Sequence, residues 1–371
     1  MAFLAGHLSR RASGVRQMIE GLSGALANRG MEIKVFGIRD PAWEQDAAEW
    51  KGAAAEVLDR FGPAKFGFMP GLGRALRTYD PDLVHLHGIW LYSSLVAAGW
   101  AGQKGRALVI SPHGMLAPAA LSYSPVRKRI VRALFQDRCF ARAAGYHATA
   151  EAEKGDIRAY VGNVPVAVVP NGVEETSVRL PAFSERSKRV LALGRLHPVK
   201  GYERLLRAWA QVEPDFPDWK LEIAGPDPEG HGGELRRLCA ELSLVRAIIG
   251  PPRYGAQRDE LIAGSRLFAL PSLSENFALT VPEALVCGTP VLASWGSPWE
   301  VLQEKGCGWW VDSNPNALAV ALRNAMETPE TRLAAMGKVG RVWAIREFGW
   351  DALAAQMENF YSKTSKLIYE K

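Results

Sequence analysis

Short apolar runs alternate along this chain with longer segments whose apolar residues recur at helical spacing. Many of the short runs lead directly into a glycine or proline, which is typical of strands buried in a parallel sheet. The predicted strands include Ala2–Ala5, Ile33–Phe36, Leu83–Leu86, Val109–Gly114, Arg189–Leu193, Leu221–Ala224, Ile248–Tyr254, Leu267–Leu270, Pro290–Ala293 and Trp309–Val311. Strands that alternate with helices predict an α/β protein with parallel sheets.

The stretch from Leu267 to Glu300 is the most informative part of this pattern. It contains a strand, a polar loop with Glu275, a short helix with Glu283 and a second strand. In such a βαβ unit, ligands collect at the carboxyl ends of the strands. The helix after the loop also presents free N–H groups and a positive dipole end to an anion. We therefore expect the loop after Leu270 to line a binding site.

Two further strand-to-helix loops have the composition of anion sites. Strand Arg189–Leu193 runs into a glycine loop that holds Arg195 and Lys200, and two such cations suit a diphosphate. Near the start, Ser13-Gly14 precedes a helix predicted over Val15–Arg29. Neither loop reads GxGxxG, so the dinucleotide fingerprint is absent.

Histidines end two strands of the first half of the chain, His87 after one and His113 after the next. A histidine in such a place faces a crevice if the sheet is parallel, although many histidines there only pack or cap. Both interpretations stay open for His87 and His113.

The run SENFALTVPEALVCGTPVLAS resembles the Glu-x7-Glu segment of the retaining nucleotide-sugar glycosyltransferases of family 4, the group 1 glycosyltransferases. The runs GRLHPVKG, HGM and PNGV resemble other elements of that family. The resemblance implies the GT-B fold, in which two Rossmann-like domains with parallel sheets face each other across a cleft. The expected domains are residues 1–180 and 181–345, with a last helix at 346–371 that crosses back to the first domain.

The resemblance also implies roles for individual residues. Glu275 and the amides of Phe277, Ala278 and Leu279 would hold the donor sugar, Glu283 the ribose, and Arg195 and Lys200 the leaving diphosphate. His113 would face the sugar. The remaining expected contacts are Ser13, Gly14, Gly194 and Thr280 for the donor, Arg253 and Tyr254 for its base, and His87 and Asn171 on the acceptor side. Three positions depart from the common pattern, because Ser13, Asn276 and Ala278 stand where glycines are usual.

Simpler interpretations exist for the two glutamates. Thr280 and Glu283 have the spacing of a capping box, in which Glu283 would only satisfy the start of a helix. Glu275 could be a solvated loop carboxylate.

Composition adds few constraints. The chain has 371 residues, 48% of them hydrophobic and 23% charged, which is typical of a soluble globular protein with two domains. Its four cysteines lack metal spacing and indicate free thiols in a reducing compartment. The first residues do not read as a signal peptide, and the uncharged stretch Leu83–Gln103 is better explained by a strand and a helix than by a membrane span.

The net charge of +6 is unevenly distributed. Residues 1–180 hold 22 basic and 16 acidic residues, whereas residues 181–371 hold 23 of each. The segment from Pro125 to Ala144 contributes much of the excess, and its apolar residues Val126, Ile130, Val131, Leu134, Phe135 and Cys139 are spaced as one helical stripe. Such a helix either packs on the core with a solvated basic face or rests on anionic lipid.

The resemblance implies a retaining glycosyltransferase that moves a hexose from a UDP-, GDP- or ADP-sugar to a saccharide or lipid-linked saccharide, in cell-surface polysaccharide synthesis. No cofactor, metal ion or nucleic acid is expected to take part. The expected location is cytoplasmic, with peripheral attachment to the inner face of the cytoplasmic membrane as a hypothesis. A nucleotide-sugar epimerase of the same fold and a non-catalytic nucleotide-sugar-binding protein are the alternatives.

Overall fold

The computed structural model describes residues 1–9, 14–63, 66–103 and 106–369, with side chains through residue 365. The chain forms two compact units: Met1–Gly172 joined by the segment that begins at Trp350, and Val173–Gly349. These limits differ by a few residues from those expected at 180 and 345. The reason is local, because the Val173 N–H donates to the Phe348 carbonyl (2.8 Å) and ties both crossing segments into the second unit.

The first unit has a seven-stranded parallel sheet in the order β3-β2-β1-β4-β5-β6-β7. Its strands are β1 (Ala2–His7), β2 (Lys34–Ile38), β3 (Ala54–Leu58), β4 (Leu83–His87), β5 (Ala107–Ser111), β6 (Gly145–Ala148) and β7 (Val166–Val168). Its helices up to residue 172 are α1 (Gly14–Asn28), α2 (Trp43–Asp46), α3 (Leu72–Tyr79), α4 (Tyr92–Ala101), α5 (Pro118–Ser122), α6 (Pro125–Val131), α7 (Asp137–Arg142) and α8 (Glu151–Val161). Strands β4 and β5 are fully buried, as their apolar runs predict.

The second unit has a six-stranded parallel sheet in the order β10-β9-β8-β11-β12-β13. Its strands are β8 (Ser187–Leu193), β9 (Lys220–Ala224), β10 (Ala247–Gly250), β11 (Ser265–Leu270), β12 (Val291–Ser294) and β13 (Gly308–Val311). Its helices are α9 (Tyr202–Val212), α10 (His231–Glu241), α11 (Gly255–Ala263), α12 (Thr280–Val286), α13 (Val301–Glu304), α14 (Pro315–Glu327) and α15 (Glu330–Phe348). The prediction of two Rossmann-like parallel sheets is confirmed.

Both sheets share the doubly wound strand order, in which the first strand of the unit lies beside the fourth. The direction of winding reverses between these two strands, and ligands bind in the crevice beyond their carboxyl ends. The pairs are β1 with β4 in the first unit and β8 with β11 in the second. The loops after these four strands are therefore where functional side chains are expected.

Helix α16 (Trp350–Tyr369) returns the chain to the first unit. Leu353 and Met357 are completely buried in the core cluster that contains β1 and α1. The Trp350 indole lies against two glycines, since a Cβ on Gly21 or Gly172 would come within 2.1 and 2.3 Å of its ring. This close approach makes the last helix part of the core of the first unit.

The basic segment after Pro125 is not one regular helix with one buried stripe, so that expectation is wrong. Helices α6 and α7 are joined by a π-helix at Arg132–Gln136. Its apolar residues form two rows that follow i, i+4, i+8 spacing. Phe135 and Cys139 of one row are buried, whereas the other row is exposed by more than half: Val126 (67%), Ile130 (55%) and Leu134 (69%). None of the helices in the described ranges is long and apolar enough to cross a membrane.

Candidate active site

An ion pair between Lys200 and Glu275 lies at the switch point of the second sheet. Lys200 ends a short 3₁₀ turn after β8, and Glu275 lies in the loop after β11. The Lys200 Nζ atom is 2.5 Å from Glu275 Oε1, which also accepts a hydrogen bond from Ser272 Oγ (2.7 Å). Their side chains are mostly shielded, with 22% and 11% of their surface exposed. Glu275 is thus a partnered, positioned carboxylate, and the solvated-loop interpretation is wrong.

The two loops that carry this pair are fastened together by backbone contacts. Gly201, with φ of +69°, passes so close to the next loop that a Cβ would lie 2.2 Å from the Pro271 carbonyl oxygen. The Leu273 N–H donates to the Val199 carbonyl (2.8 Å), and the Glu275 N–H donates to that of Gly296 (2.7 Å). Only glycine fits both the conformation and the space at 201. The carboxylate and the ammonium group are therefore held by the loop backbone itself.

The other residues predicted in this loop take different places. Arg195 is exposed, and its side chain makes no hydrogen bond or ion pair within the described ranges. Gly194 lies against Tyr202, whose hydroxyl would be 2.8 Å from a Cβ at 194. Burial, and then the charge of Glu275, raise the pKa of Tyr202, so its hydroxyl stays neutral beside the ion pair. The sequence patterns did not indicate Tyr202 or Ser272.

The segment Phe277–Leu279 combines a buried ring with unused backbone donors. The Phe277 ring packs on Trp299 and Phe348 at centroid distances of 5.2 and 5.8 Å, and Trp299 Nε1 donates to the Phe277 carbonyl. The N–H groups of Phe277, Ala278 and Leu279 donate to no group in the part of the chain that the structure describes. Ala278 has φ of +65°, a conformation that glycine adopts more readily than other residues.

Glu283 does not act as a capping-box residue. Leu279 is the N-cap of α12 and makes no side-chain capping bond, while Thr280 is already the first helical residue. Glu283 Oε1 instead accepts a hydrogen bond of 2.6 Å from Arg258 Nη1 of α11. The charge of Glu283 raises the pKa of Arg258 further, against the effect of burial. No local motif marks Arg258, so inspection of the sequence missed it.

A cavity of about 630 Å³ lies beyond the carboxyl ends of β8, β9 and β10. Its lining includes Leu196, Asp227, Arg236 and Pro251. The predicted base contacts are elsewhere: Arg253 and Tyr254 are exposed, do not line this cavity, and Tyr254 is the N-cap of α11.

In the first unit, a buried hydrogen-bonded chain runs through two histidines. His147 Nε2 is 2.7 Å from the Val169 carbonyl oxygen, which can only accept, so this nitrogen carries the proton. In a neutral ring, Nδ1 then accepts from Ser111 Oγ (2.7 Å), and Ser111 accepts from His85 Nε2 (2.6 Å). The Tyr361 hydroxyl of α16 completes the chain by donating to His85 Nδ1 (2.7 Å).

Burial keeps these rings neutral. It lowers the pKa of His85 and His147, and nearby histidines lower the pKa of His85 further, whereas the hydrogen bond to the Val169 carbonyl raises that of His147. Every donor in the chain from Tyr361 to Val169 therefore has one acceptor, and the tautomers of both histidines are determined.

His87 and His113 lie together at the carboxyl edge of this sheet. His87 Nδ1 is 3.2 Å from His113 Nε2, and the rings are stacked. His87 Nε2 is buried without a partner among the described residues. Burial lowers the pKa of His113 to about 4, although the charge of Glu153 acts in the opposite direction. Both predicted histidines thus occupy the expected edge, as neutral rings at pH 7.

The remaining predicted contacts of the first unit are less informative. Ser13 lies outside the described residues, and Gly14 is the first residue of α1. Asn171 is 9% exposed, and its Oδ1 has no hydrogen-bond partner within the described ranges. The sequence patterns did not indicate Asp40 after β2, whose Oδ2 is 2.8 Å from both His7 Nδ1 at the end of β1 and Ser9 Oγ. In the described ranges, no group of His, Cys, Asp or Glu residues could hold a metal ion.

Comparisons with known proteins match both units of this chain. The family model for glycosyl transferases group 1 matches residues 174–343, and that for the glycosyl transferase 4-like domain matches residues 13–172. D-inositol 3-phosphate glycosyltransferases from Segniliparus rotundus and Streptomyces scabiei are each 29% identical to this chain. The matches cover 92% and 95% of this chain, and 83% and 86% of those proteins.

Two solved structures show the same fold. HepE from Anabaena, in complex with UDP-glucose, has a TM-score of 0.77 at 20% identity and covers 98% of this chain and 100% of its own. Sucrose-phosphate synthase from Thermosynechococcus elongatus has a TM-score of 0.74 at 21% identity, with 98% of each chain covered. The two family matches adjoin and leave only the chain ends outside them, so this chain belongs to the group 1 glycosyltransferases, which transfer a sugar from a nucleotide-sugar donor and have the GT-B fold of two Rossmann-like domains.

Proposed function

We propose that this enzyme is a retaining hexosyltransferase that takes a sugar from UDP-hexose and transfers it to a saccharide or lipid-linked saccharide, in the synthesis of a cell-surface polysaccharide. The observation that carries the proposal is the Lys200–Glu275 pair at the switch point of the second sheet. The choice of uridine is supported by the UDP and UDP-glucose complexes of HepE.

The pair suits a donor that carries both a diphosphate and a sugar. Lys200 and Glu275 neutralise each other before the donor binds, which avoids leaving a shielded charge unpaired. The diphosphate would draw Lys200 away from Glu275, with Arg195 as a second cation. Glu275 would then accept hydrogen bonds from sugar hydroxyls, and the free amides of Phe277, Ala278 and Leu279 would donate to the donor. Gly194 and Thr280 border the same site.

We assign a front-face reaction to this site. The bond from the anomeric carbon to the diphosphate oxygen breaks while the acceptor oxygen bonds to that carbon from the same face. The acceptor proton passes to the departing diphosphate, whose negative charge Lys200 and Arg195 offset. No metal ion is required in this scheme, because the charge is carried by cationic side chains.

The test begins with thermal-shift measurements against UDP-, GDP- and ADP-sugars, since a ligand that binds the folded state raises its stability. Transfer from the bound donor is then measured with saccharides, lipid-linked saccharides and D-inositol 3-phosphate, with excess chelator in a parallel reaction. NMR of the product gives the anomeric configuration, which should match that of the donor. An inverted product would exclude retention, an epimerised donor would favour the epimerase, and binding without turnover would favour a binding protein.

The first unit is proposed to bind the acceptor with His87 and Asn171. Neutral imidazole and amide groups both donate and accept hydrogen bonds, which suits a ligand made of hydroxyl groups. The contact of His113 with the transferred sugar, which the family resemblance implies, stays a prediction.

The exposed row of α6 and the π-helix is the proposed membrane contact. Tyr123, Val126, Ile130 and Leu134 are all more than half exposed, and basic Arg127, Arg129 and Arg138 are exposed around them. Apolar residues next to cations fit the interface of an anionic bilayer, where each basic residue adds on the order of 1 kcal/mol.

Vesicle co-sedimentation tests this contact. Serine at Val126, Ile130 and Leu134 should abolish binding to anionic vesicles and leave UDP affinity unchanged. The matched control places serine at Val245, Val320 and Val342, exposed apolar residues of the second unit, and should bind like the unaltered enzyme. Salt should release the unaltered enzyme. Equal binding by the first triple variant would exclude this surface.

A further inference from the structure

A network of polar side chains in the second unit connects Arg258 of α11 with Glu283, the residue proposed to bind the ribose. Arg258 uses its whole guanidinium group. Nη1 donates to Glu283 Oε1 (2.6 Å), while Nε and Nη2 donate to Asp259 Oδ1 (3.0 and 2.9 Å). The Thr176 hydroxyl in turn donates to Asp259 Oδ2 (2.7 Å). Asp259 and Thr176 therefore hold the plane of the guanidinium group, and that plane holds one oxygen of Glu283.

The energetics favour a fixed geometry. Arg258 and Glu283 are largely shielded, with 23% and 9% of their side chains exposed, and a charge-assisted hydrogen bond of 2.6 Å is a strong one. Lysine could not replace Arg258, because an ammonium group has no planar fork that contacts Asp259 and Glu283 at once. A carboxylate has about four acceptor sites, so a bond from Arg258 is compatible with acceptance of hydrogen bonds from a diol.

We propose that Arg258 is a positioning residue that orients the Glu283 carboxylate toward the ribose hydroxyls of the donor nucleotide. This inference rests on the proposed function, in which Glu283 contacts the ribose. It differs from a packing role for the α11–α12 contact in one measurable way. Loss of packing would weaken binding of every nucleotide alike, whereas loss of orientation weakens only the recognition of the ribose hydroxyls.

The experiment compares UDP with 2′,3′-dideoxy-UDP by calorimetry. The unaltered enzyme should prefer UDP by about 10-fold or more, since hydrogen bonds to a charged group are at stake. Arg258→Met keeps the apolar stem and removes the fork, and should reduce this preference to about threefold or less. Arg258→Lys should restore little of it. Adding Arg258→Met to Glu283→Gln should reduce the preference no further than Glu283→Gln alone, because the two residues act as one.

Arg189→Met is the matched control. Arg189 forms a similarly shielded pair with Glu222 (3.1 Å), between neighbouring strands of the same unit. This variant should keep the full preference for UDP. Thermal unfolding of each variant reports the loss of packing separately.

The possible outcomes distinguish an error about Arg258 from an error about the ribose contact of Glu283. If Glu283→Gln loses the preference and Arg258→Met keeps it, the inference about Arg258 is wrong and the ribose contact stands. If Glu283→Gln keeps the preference, Glu283 does not contact the ribose, and both the inference and that part of the proposed function are overturned. A parallel fall in affinity for both nucleotides in Arg258→Met, with the ratio unchanged, would show a packing role only.

Discussion

The carboxyl edges of the two sheets share a strand order and differ in their chemistry. In the second unit the edge holds paired charges, Lys200 with Glu275 and Arg258 with Glu283. In the first unit it holds histidine rings that burial keeps neutral, among them His85, His87 and His113. The same fold thus carries ionic groups at one edge and neutral hydrogen-bonding groups at the other. Ligand chemistry is set by the loops and strand ends, and the sheet only brings them together.

Lowering the pH should produce the largest difference between the two units, because it adds positive charge to the histidines at the edge of the first sheet. His113 has a pKa of about 4 in the folded state against an ordinary value of 6.5, so the unfolded chain binds more protons between these values. The free energy of unfolding then falls as the pH falls, by about 1.4 kcal/mol per pH unit for each such histidine. His113 alone removes about 3 kcal/mol by pH 4, and His85 and His87 add to this.

We therefore expect the first unit to open before the second between pH 6.5 and 4. Hydrogen exchange resolved by peptide, measured at stepwise lower pH, distinguishes the units. Earlier exchange in β8 and β11 than in β4 and β5 would contradict this prediction.

The next largest effect distinguishes the role of Glu275 from that of Lys200 in the second unit. Glu275→Ala should lower the transfer rate by about 10³-fold, the loss typical of a group that stabilises the reacting centre. Its affinity for free UDP should stay the same or rise, because Lys200 loses its competing partner. Lys200→Met should instead weaken UDP binding by about 10-fold or more.

Calorimetry with UDP and initial rates with the donor sugar measure both effects. Lys188→Met is the control, since Lys188 forms an exposed pair with Asp218 in the same unit. Parallel losses of UDP affinity in Glu275→Ala and Lys200→Met would show that Glu275 does not contact the sugar alone.

A smaller effect is expected for the hydrogen bond between Tyr361 and His85 in the first unit. Tyr361→Phe removes the only hydrogen that can reach His85 Nδ1 in the chain described above, and leaves a buried acceptor unpaired. We expect the free energy of unfolding of the first unit to fall by about 1–2 kcal/mol, with UDP affinity unchanged. Tyr123→Phe, at an exposed tyrosine of the same unit, should have no measurable effect. Denaturant unfolding of both variants gives the comparison.

The smallest expected effect concerns Ala278, whose positive φ costs about 1 kcal/mol. Ala278→Gly removes this strain but loses about 0.5–1 kcal/mol to the greater freedom of glycine in the unfolded chain. The net change should be a stabilisation of about 0.5 kcal/mol or less. Ala335→Gly, in the interior of α15, should instead destabilise by about 1 kcal/mol, because no strain is relieved there. Equal destabilisation by both changes would contradict the strain argument.

The amino-acid sequence predicted the parallel sheets because their strands are buried on both faces and read as uninterrupted apolar runs. It also drew attention to Lys200, Glu275 and Glu283, since each lies just after a strand or at the start of the following helix. Glycines and charges at such positions are local signals that can be read without knowing any contact.

Contacts distant in the sequence could not be predicted in the same way. Arg258 reaches Glu283 across 25 residues and belongs to an ordinary polar helix, and Tyr361 reaches His85 across 276 residues. The prediction that Val126, Ile130 and Leu134 belong to one buried stripe was wrong for another reason. Periodicity gave an apolar arc that was too wide for one interface, and it could not tell which part of the arc faced the core.

The return of α16 has a consequence for the order in which the molecule can be made. Residues 173–349 form a compact unit that is complete as soon as they have left the ribosome. The first unit must wait for Trp350, Leu353 and Met357, which fill its core and are synthesised after residues 173–349. Domains generally fold as units during synthesis, so here the later-encoded unit can finish folding first. A nascent chain released before residue 350 would carry a finished second unit and an exposed apolar surface on the first unit, which makes truncation before α16 a route to aggregation.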